Sequence, residues 1–226
     1  MDSETKKQLI AYLMQRVTEN KRAKMETIIK DRTRHVSIVL EDIFQAHNAN
    51  AIIRSAECFG IQDVHLIEEK NTFKVTSGIA MGSAKWVTTH RYKTTADCFT
   101  SLKENGYRIV ATTPHTKACY LEDLPLDKKL VLVFGTEHDG LSEYALQHAD
   151  EFVKIPMVGF TESFNVSVSA GISLYHIMNA LRKISIDWRL TEEEKLDVML
   201  AWLRKSIRGS KEFEQQFLHN SLSSNK

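Results

Sequence analysis

The stretch LVLVFGTEHDGLSEYALQHAD, residues 130–150, decides the fold. Its first five residues are apolar without interruption, so a strand here buries both of its faces, and such strands sit inside parallel sheets covered by helices on each side. Gly135 ends the run, Gly140 closes a short polar turn, and LSEYALQHAD (141–150) reads as a helix. In open sheets of this class ligands bind beyond the carboxyl ends of the strands. The turn FGTEHDGLS (134–142) is therefore a place to look for chemistry.

Working outward, the same alternation of strand and helix continues. VSIVLEDI (36–43) is a β-branched strand; NANAIIRSAECFG (48–60) reads as a helix that Asn48 can cap, with Ile52, Ile53, Ala56 and Phe59 inward and Gly60 as its left-handed stop. DVHLIE (63–68), WVTTHRY (86–92), YRIVATTP (107–114) and FVKIPM (152–157) read as strands, and TADCFTSLKENG (95–106) as a helix closed by Gly106. In ESFNVSVSAG (162–171) Val166 and Val168 alternate as in a strand, yet an apolar helical spacing begins directly afterwards. The pattern predicts an α/β domain over 36–184 with a mainly parallel sheet and helices on both faces.

The two ends differ. Leu9, Ile10, Leu13 and Val17, then Met25, Ile28 and Ile29, recur at helical spacing with a break around Glu19 to Lys21, which makes residues 1–35 a helical extension. Beyond 184, Thr191 and Glu194 form a capping box before a stripe of Leu196, Met199, Leu200 and Leu203, so 185–226 is expected to hold a terminal helix and a frayed tail, HNSLSSNK (219–226).

Composition excludes several classes. Of 226 residues 42% are hydrophobic and 26% charged, as in a water-soluble globular protein, and no apolar run reaches the roughly 18 residues that a membrane span requires. With no visible signal peptide, a cytoplasmic location is expected. Cys58, Cys98 and Cys119 are an odd, scattered set that reads as reduced packing residues rather than a metal site. The net charge of +1 conceals a gradient: residues 1–35 hold 9 Lys and Arg against 5 Asp and Glu, residues 36–181 hold 12 against 17, and residues 182–226 hold 9 against 7. Basic ends beside an acidic middle suit a polyanion held at the flanks, although a solvated helix face gives the same count.

The usual cofactor loops are absent. No G-x-G-x-x-G follows a strand and no G-x-x-x-x-G-K-[ST] occurs, which disfavours a nicotinamide-dependent oxidoreductase or a P-loop NTPase; G-x-S-x-G and H-E-x-x-H are missing as well. Three strand-end segments remain: HNANAIIR (47–54), FGTEHDGLS (134–142) and IPMVGFTESFNVSVSAG (155–171). Singly each is weak, because Asn48 also serves as a cap, Gly135 and Gly140 as turn residues and Glu137 as a solvated carboxylate. Arg54, among apolar neighbours, calls for an anionic partner.

Taken together and in this order, EDIFQAHNANAIIRSAECFGIQDVHLI (41–67), TSGIAMGSAKWV (76–87), LVFGTEHDGLSEYAL (132–146) and IPMVGFTESFNVSVSAGISL (155–174) resemble the motifs of the SPOUT superfamily of RNA ribose methyltransferases, and within it the TrmH family of tRNA guanosine-18 2′-O-methyltransferases. The resemblance implies a C-terminal deep trefoil knot, S-adenosyl-L-methionine as cofactor bound in that knot, tRNA as substrate, and a homodimer without metal. It implies that Asn48, Arg54, Glu137, Ser163 and Asn165 form the polar active site and that Thr112, Gly135, Ile155 and Phe164 hold the cofactor. It also explains the small residues Ser167, Ser169, Ala170, Gly171 and Ser173 by crowding against the first turns of a helix. Lys21, Arg22, Lys24, Arg32 and Arg34, with His47, become candidate RNA contacts; His47 has an equally plain reading as a strand-end polar residue, and Ser163 or Asn165 could simply cap the helix. Two positions depart from the family: Phe164 stands where Leu is usual, and His138 and Asp139 stand where a basic residue and then an aromatic or small one are frequent.

Three alternatives are kept. A ribosomal RNA methyltransferase of the same superfamily shares the motifs, but only about 35 residues precede the first strand, which favours tRNA. A non-catalytic knotted RNA-binding protein is disfavoured by Arg54, Glu137 and Asn165 being present. A nicotinamide enzyme lacks its glycine fingerprint.

Overall fold

The computed structural model describes residues 1–71, 82–114 and 118–224; the motif at 76–87 lies outside these as far as residue 81. Helices α1 (Ser3–Met14) and α2 (Glu19–Ile28) come first. Then follow β1 (Val36–Glu41), α3 (Ala46–Cys58), β2 (Asp63–Ile67), β3 (Thr88–Tyr92), α4 (Thr95–Glu104), β4 (Arg108–Thr112), β5 (Cys119–Tyr120), β6 (Leu130–Phe134), α5 (Glu143–His148), β7 (Glu151–Lys154) and α6 (Val166–Leu181). Helices α7 (Glu192–Ser206) and α8 (Ser210–Ser224) are last. The chain divides into two units, Thr33–Trp188 and Met1–Arg32 with Arg189–Lys226.

In the first unit seven strands form one parallel sheet in the order β3-β2-β1-β6-β4-β7-β5. LVLVF takes the middle place its composition demands, and all five of its residues are buried. Alternate residues serve opposite faces. Ile38, Leu40, Leu130, Leu132 and Phe134 belong to a core shared with Ile52, Ile53 and Ala56 of α3 and Leu174, Ile177 and Met178 of α6. Val39, Ile109, Ala111, Val131 and Val133 belong to another, shared with Cys98, Phe99 and Leu102 of α4 and Ala145 of α5. Each fully buried aliphatic side chain contributes about 1.5–3 kcal/mol, so the two cores hold the sheet from both sides.

Three local readings change. Helix α3 begins at Ala46, and Asn48 lies inside it rather than capping it. ESFNVSVSAG becomes helical from Val166, because Asn165 caps α6 by accepting hydrogen bonds from Ser167 N at 2.8 Å and Val168 N at 3.4 Å. The two-residue strand β5 carries too little pattern to be read from the sequence.

Next to Asp63 lies a buried polar group. Asp63 accepts from Arg34 Nε at 2.8 Å and faces His90 Nε2 at 3.4 Å, while the rings of His65 and His90 stack at 4.7 Å. Burial raises the Asp63 carboxyl, but His90 and the charge of Arg34 outweigh it and hold it below the usual range. Burial, and then the charge of His90, hold His65 down at about 4. A base depressed in the folded state is neutral there while the unfolded chain takes up a proton, so stability is complete above pH 6.5 and is lost as pH falls toward 4. The expected loss is about 2–3 kcal/mol, read as a falling urea midpoint between those pH values. His65→Phe should flatten that slope; an unchanged slope would assign it to other groups.

In the second unit, α1 packs on α7 and α8. Thr18 caps α2, accepting from Lys21 N, so the break between α1 and α2 falls at Gln15–Thr18, earlier than the apolar spacing suggested. Lys6 pairs with Glu193 and, at 2.6 Å, with Asp197 of α7. The capping box of Thr191 and Glu194 is present, and Met199, Leu200 and Leu203 are buried. Helix α8 runs to Ser224, into the stretch read as a tail. No described helix is long and apolar enough to cross a membrane.

Candidate active site

The sheet order places a topological switch between β1 and β6: from β1 the chain proceeds to β2 and β3 on one side, while β4, β7 and β5 lie on the other. At such a point the loops leaving neighbouring strands diverge and open a crevice beyond their carboxyl ends. The loop after β1 leads into α3, and the loop after β6 carries Glu137.

These two loops meet through Glu137. Its Oε1 accepts from Asn48 Nδ2 at 2.6 Å, and its two oxygens accept from Phe44 N and Gln45 N at 3.3 Å each. A carboxylate 89 residues away in the chain thus supplies the acceptors at the start of α3, which leaves Asn48 free of the capping task. On its other side Asn48 Oδ1 accepts from Asn165 Nδ2 at 3.3 Å. Asn165 has two jobs: its Oδ1 caps α6, and its amide nitrogen reaches Asn48. One hydrogen-bonded chain, Asn165–Asn48–Glu137, therefore links the three strand-end segments.

The turn holding Glu137 is built for close approach. Thr136 N donates to Gly140 O at 2.8 Å, Gly140 N donates back to Thr136 O at 3.2 Å, and Gly140 adopts φ +71°. A Cβ on Gly135 would lie 2.2 Å from Gly140 O, so the crowding there comes from the turn itself.

The other site residues are placed as follows. Arg54 is on the exposed face of α3, about 9 Å along the axis from Asn48 at 1.5 Å per residue, because Ile52, Ile53 and Ala56 take the buried positions and leave Arg54 outward. Ser163 is exposed, and it is Asn165 that caps α6. Phe164 is 40% exposed. Thr112 Oγ1 donates to Val133 O at 2.7 Å, and Ile155 packs partly against the core shared by α3 and α6. Among the described residues an added Cβ on Gly171 would meet nothing within 4 Å, whereas Ala170 and Ser173 are buried.

Among the basic candidates, Arg32 is corrected outright. It is fully buried, its guanidinium lies 5.7 Å from the centre of the Trp202 ring, and it is a packing residue with no surface to offer RNA. Arg34 is partly buried and held by Asp63, so it too is turned to the fold. Lys24 and His47 are exposed, Lys21 is half-buried, and Arg22 pairs with Glu26 at 2.9 Å. His138 and Asp139 both project into solvent. Cys98 is buried, and burial, followed by the charge of Glu41, pushes its thiol up, which disarms it as a nucleophile.

Two residues that sequence reasoning passed over brace this crevice. Glu41 is buried and bonded to Thr95 and Ser142. Asp42 adopts φ 50°, and its Oδ1 accepts from the N–H groups of Glu69, Lys70 and Asn71 at 2.9, 2.8 and 3.1 Å. Left-handed backbone costs a non-glycine residue about 1–2 kcal/mol, which three hydrogen bonds to one carboxylate oxygen offset. The adjacent acids at the end of the VSIVL strand were the available signal.

The SpoU rRNA Methylase family matches residues 35–175, a span that includes all three loops. The chain belongs to the SpoU rRNA methylase family. A relative from Borreliella burgdorferi, named tRNA (guanosine(18)-2′-O)-methyltransferase, is 40% identical over 224 residues, 99% of this chain and all of that protein. The SpoU-type fold also appears in the Aquifex aeolicus TrmH/SpoU tRNA modifying enzyme, with a TM-score of 0.75 at 27% identity over 84% of this chain and 98% of that one. The SpoU methyltransferase AviRb from Streptomyces viridochromogenes, solved in complex with AdoMet, shares the fold with a TM-score of 0.62 at 21% identity, over 69% of this chain and 64% of that one.

Proposed function

We propose that this SpoU-family chain transfers a methyl group from S-adenosylmethionine to the 2′-hydroxyl of guanosine 18 in tRNA. The observation that carries the reading is the bonded chain Asn165–Asn48–Glu137, found in a protein 40% identical over its whole length to a relative named for that reaction. Ribosomal RNA as substrate is less well supported, because that full-length likeness is to a tRNA enzyme.

The residues present fit the cofactor. Thr112, Gly135 and Ile155 stand at or just beyond the ends of β4, β6 and β7, which are consecutive in the sheet, and the half-exposed ring of Phe164 adds apolar surface. Backbone groups and apolar side chains suit an uncharged nucleoside, and Gly135 keeps bulk out of that position. When bound, the cofactor supplies an electrophilic methyl on a sulfonium; the protein's part is orientation.

Glu137 acts as a brace: its oxygens already accept three hydrogen bonds, and through Asn48 they set the position of Asn165. Arg54 faces outward, where it meets RNA: its guanidinium holds a phosphate and polarises the ribose hydroxyl. It does not remove the proton, since a guanidinium keeps its charge in proteins. Ser163, exposed beside Phe164, borders the pocket. Lys21, Lys24 and His47 add surface positive charge or hydrogen bonding for a folded RNA, in keeping with helical ends that grip the substrate.

A homodimer is part of the reading. Val168, Ile172 and Tyr175, at helical spacing on α6, are 47%, 37% and 62% exposed and make an apolar stripe that a second copy would cover. The knot belongs to the same reading, carried by the likeness to the SpoU family over residues 35–175. A cytoplasmic location goes with the same reading.

The test is transfer of labelled methyl to an unmodified tRNA transcript beside one carrying 2′-deoxyguanosine at position 18. Labelling of the first and none of the second is expected. Equal labelling of both, or labelling of ribosomal RNA alone, would end the reading.

A further inference from the structure

At the carboxyl end of β1, Glu41 is 2% exposed. Its Oε1 accepts from Thr95 Oγ1 at 2.6 Å and Ser142 Oγ at 2.7 Å, and its Oε2 from Ser142 N at 2.9 Å. Thr95 is the first residue of α4, and Ser142 caps α5, its Oγ accepting from Ala145 N at 3.1 Å. Ser142 also ends the turn that begins at Gly135. That turn is consequently fixed twice: at its base by the Thr136–Gly140 bridge, where Gly135 packs against Gly140, and at its exit by Glu41. Glu137 stands inside the loop that this bridge closes.

A serine caps a helix without help, so α5 alone does not require a buried carboxylate, which costs free energy unless donors surround it. What the carboxylate adds is a strand-to-turn tie. β1 and β6 are hydrogen-bonded neighbours, with Leu40 opposite Phe134, so the tie joins the loops leaving two adjacent strands at the switch point.

We infer that Glu41 is a positioning residue for methyl transfer: by locking Ser142 it holds the 135–142 turn so that Glu137 Oε1 stays 2.6 Å from Asn48 Nδ2. The inference rests on the reading of Glu137 as part of the active site. It makes Glu41 act on the reaction only through Glu137, and that dependence is measurable.

The experiment is a double-mutant cycle in the full-length protein, comparing wild type, Glu41→Ala, Glu137→Gln and the double variant for kcat, KM for tRNA and Kd for S-adenosylmethionine. Glu41→Ala is expected to lower kcat about tenfold or more, the scale of misplacement by under an ångström, with KM and Kd changed less than about threefold. Glu41→Gln should restore most of the rate, because its amide oxygen can accept from Ser142 N while its NH2 meets the two hydroxyls. In the Glu137→Gln background, Glu41→Ala should cost nothing further. Equal losses in both backgrounds would overturn the inference and leave Glu41 a residue of the fold alone. An unchanged kcat in Glu137→Gln would instead overturn the active-site reading, and the inference with it. If Glu41→Ala does not fold, Ser142→Ala enters the same cycle, since it removes one donor and keeps the carboxylate; non-additivity with Glu137→Gln supports the tie and additivity refutes it.

Discussion

Arg54→Lys is expected to lower kcat by about a hundredfold or more while leaving S-adenosylmethionine affinity within about twofold. Lysine keeps the charge and much of the length, so a role limited to attracting RNA would survive the exchange. A planar fork that holds a phosphate and a hydroxyl together has no equivalent in a single ammonium group. The position makes the experiment clean: Arg54 is on the outer face of α3, with Ile52, Ile53 and Ala56 forming the buried face, so the exchange leaves the core intact. Thermal unfolding should be unchanged. Near-normal turnover would remove Arg54 from the reacting centre and reduce it to a surface charge.

Gly135→Ala is the other large effect. The new methyl would sit 2.2 Å from Gly140 O, 2.3 Å from its carbonyl carbon and 2.5 Å from Leu141 N, all backbone atoms that cannot rotate away. The turn must open, which strains or breaks the Thr136 N to Gly140 O bond of 2.8 Å. Overpacking of this kind costs about 1–3 kcal/mol, which lowers the unfolding midpoint by several degrees in a chain of this size. Because Glu137 rides on the turn, kcat should fall about a hundredfold, and cofactor affinity should fall with it. Unlike Arg54→Lys, this variant must lose stability, binding and rate together. A fully active Gly135→Ala enzyme would show that the turn tolerates movement and that Glu137 is not held by it.

The framework was readable because it is local and periodic. LVLVF is apolar on both faces, and the structure puts it at the centre of the sheet. Readings failed where the deciding partner is far away in the chain. Asn48 has the composition of a cap, but the acceptors at that helix end come from Glu137, and no periodicity around residue 48 reports this. Val166 and Val168 misled for a local reason, since they alternate like a strand although Asn165 starts a helix there. Arg32 looks like an RNA contact by charge, whereas Trp202, 170 positions later, lies against a guanidinium that is fully buried.

The site divides in the same way. The order of three motifs pointed to residues 48, 137 and 165 without their geometry, and the hydrogen bonds supply it. Glu41 and Asp42 escaped notice because their work is done on backbone N–H groups and hydroxyls of distant loops, and a sequence does not display where those groups will be. The exposure of Arg54 was open to prediction: with positions 52, 53 and 56 turned inward on a helix, residue 54 falls outside the buried arc.

In the proposed function three separated turns make one pocket, in which Arg54 and Asn165 attend the same reaction. The most direct measurement is a crystal structure of the protein with an inert S-adenosylmethionine analogue and a guanosine-bearing tRNA fragment. The Arg54 guanidinium, from the same or the partner copy, is expected within about 4 Å of the acceptor ribose or its phosphate, with Asn165 lining the pocket that holds the analogue. An analogue bound away from the 135–142 turn, or an acceptor ribose beyond the reach of every Arg54 in the assembly, would contradict it.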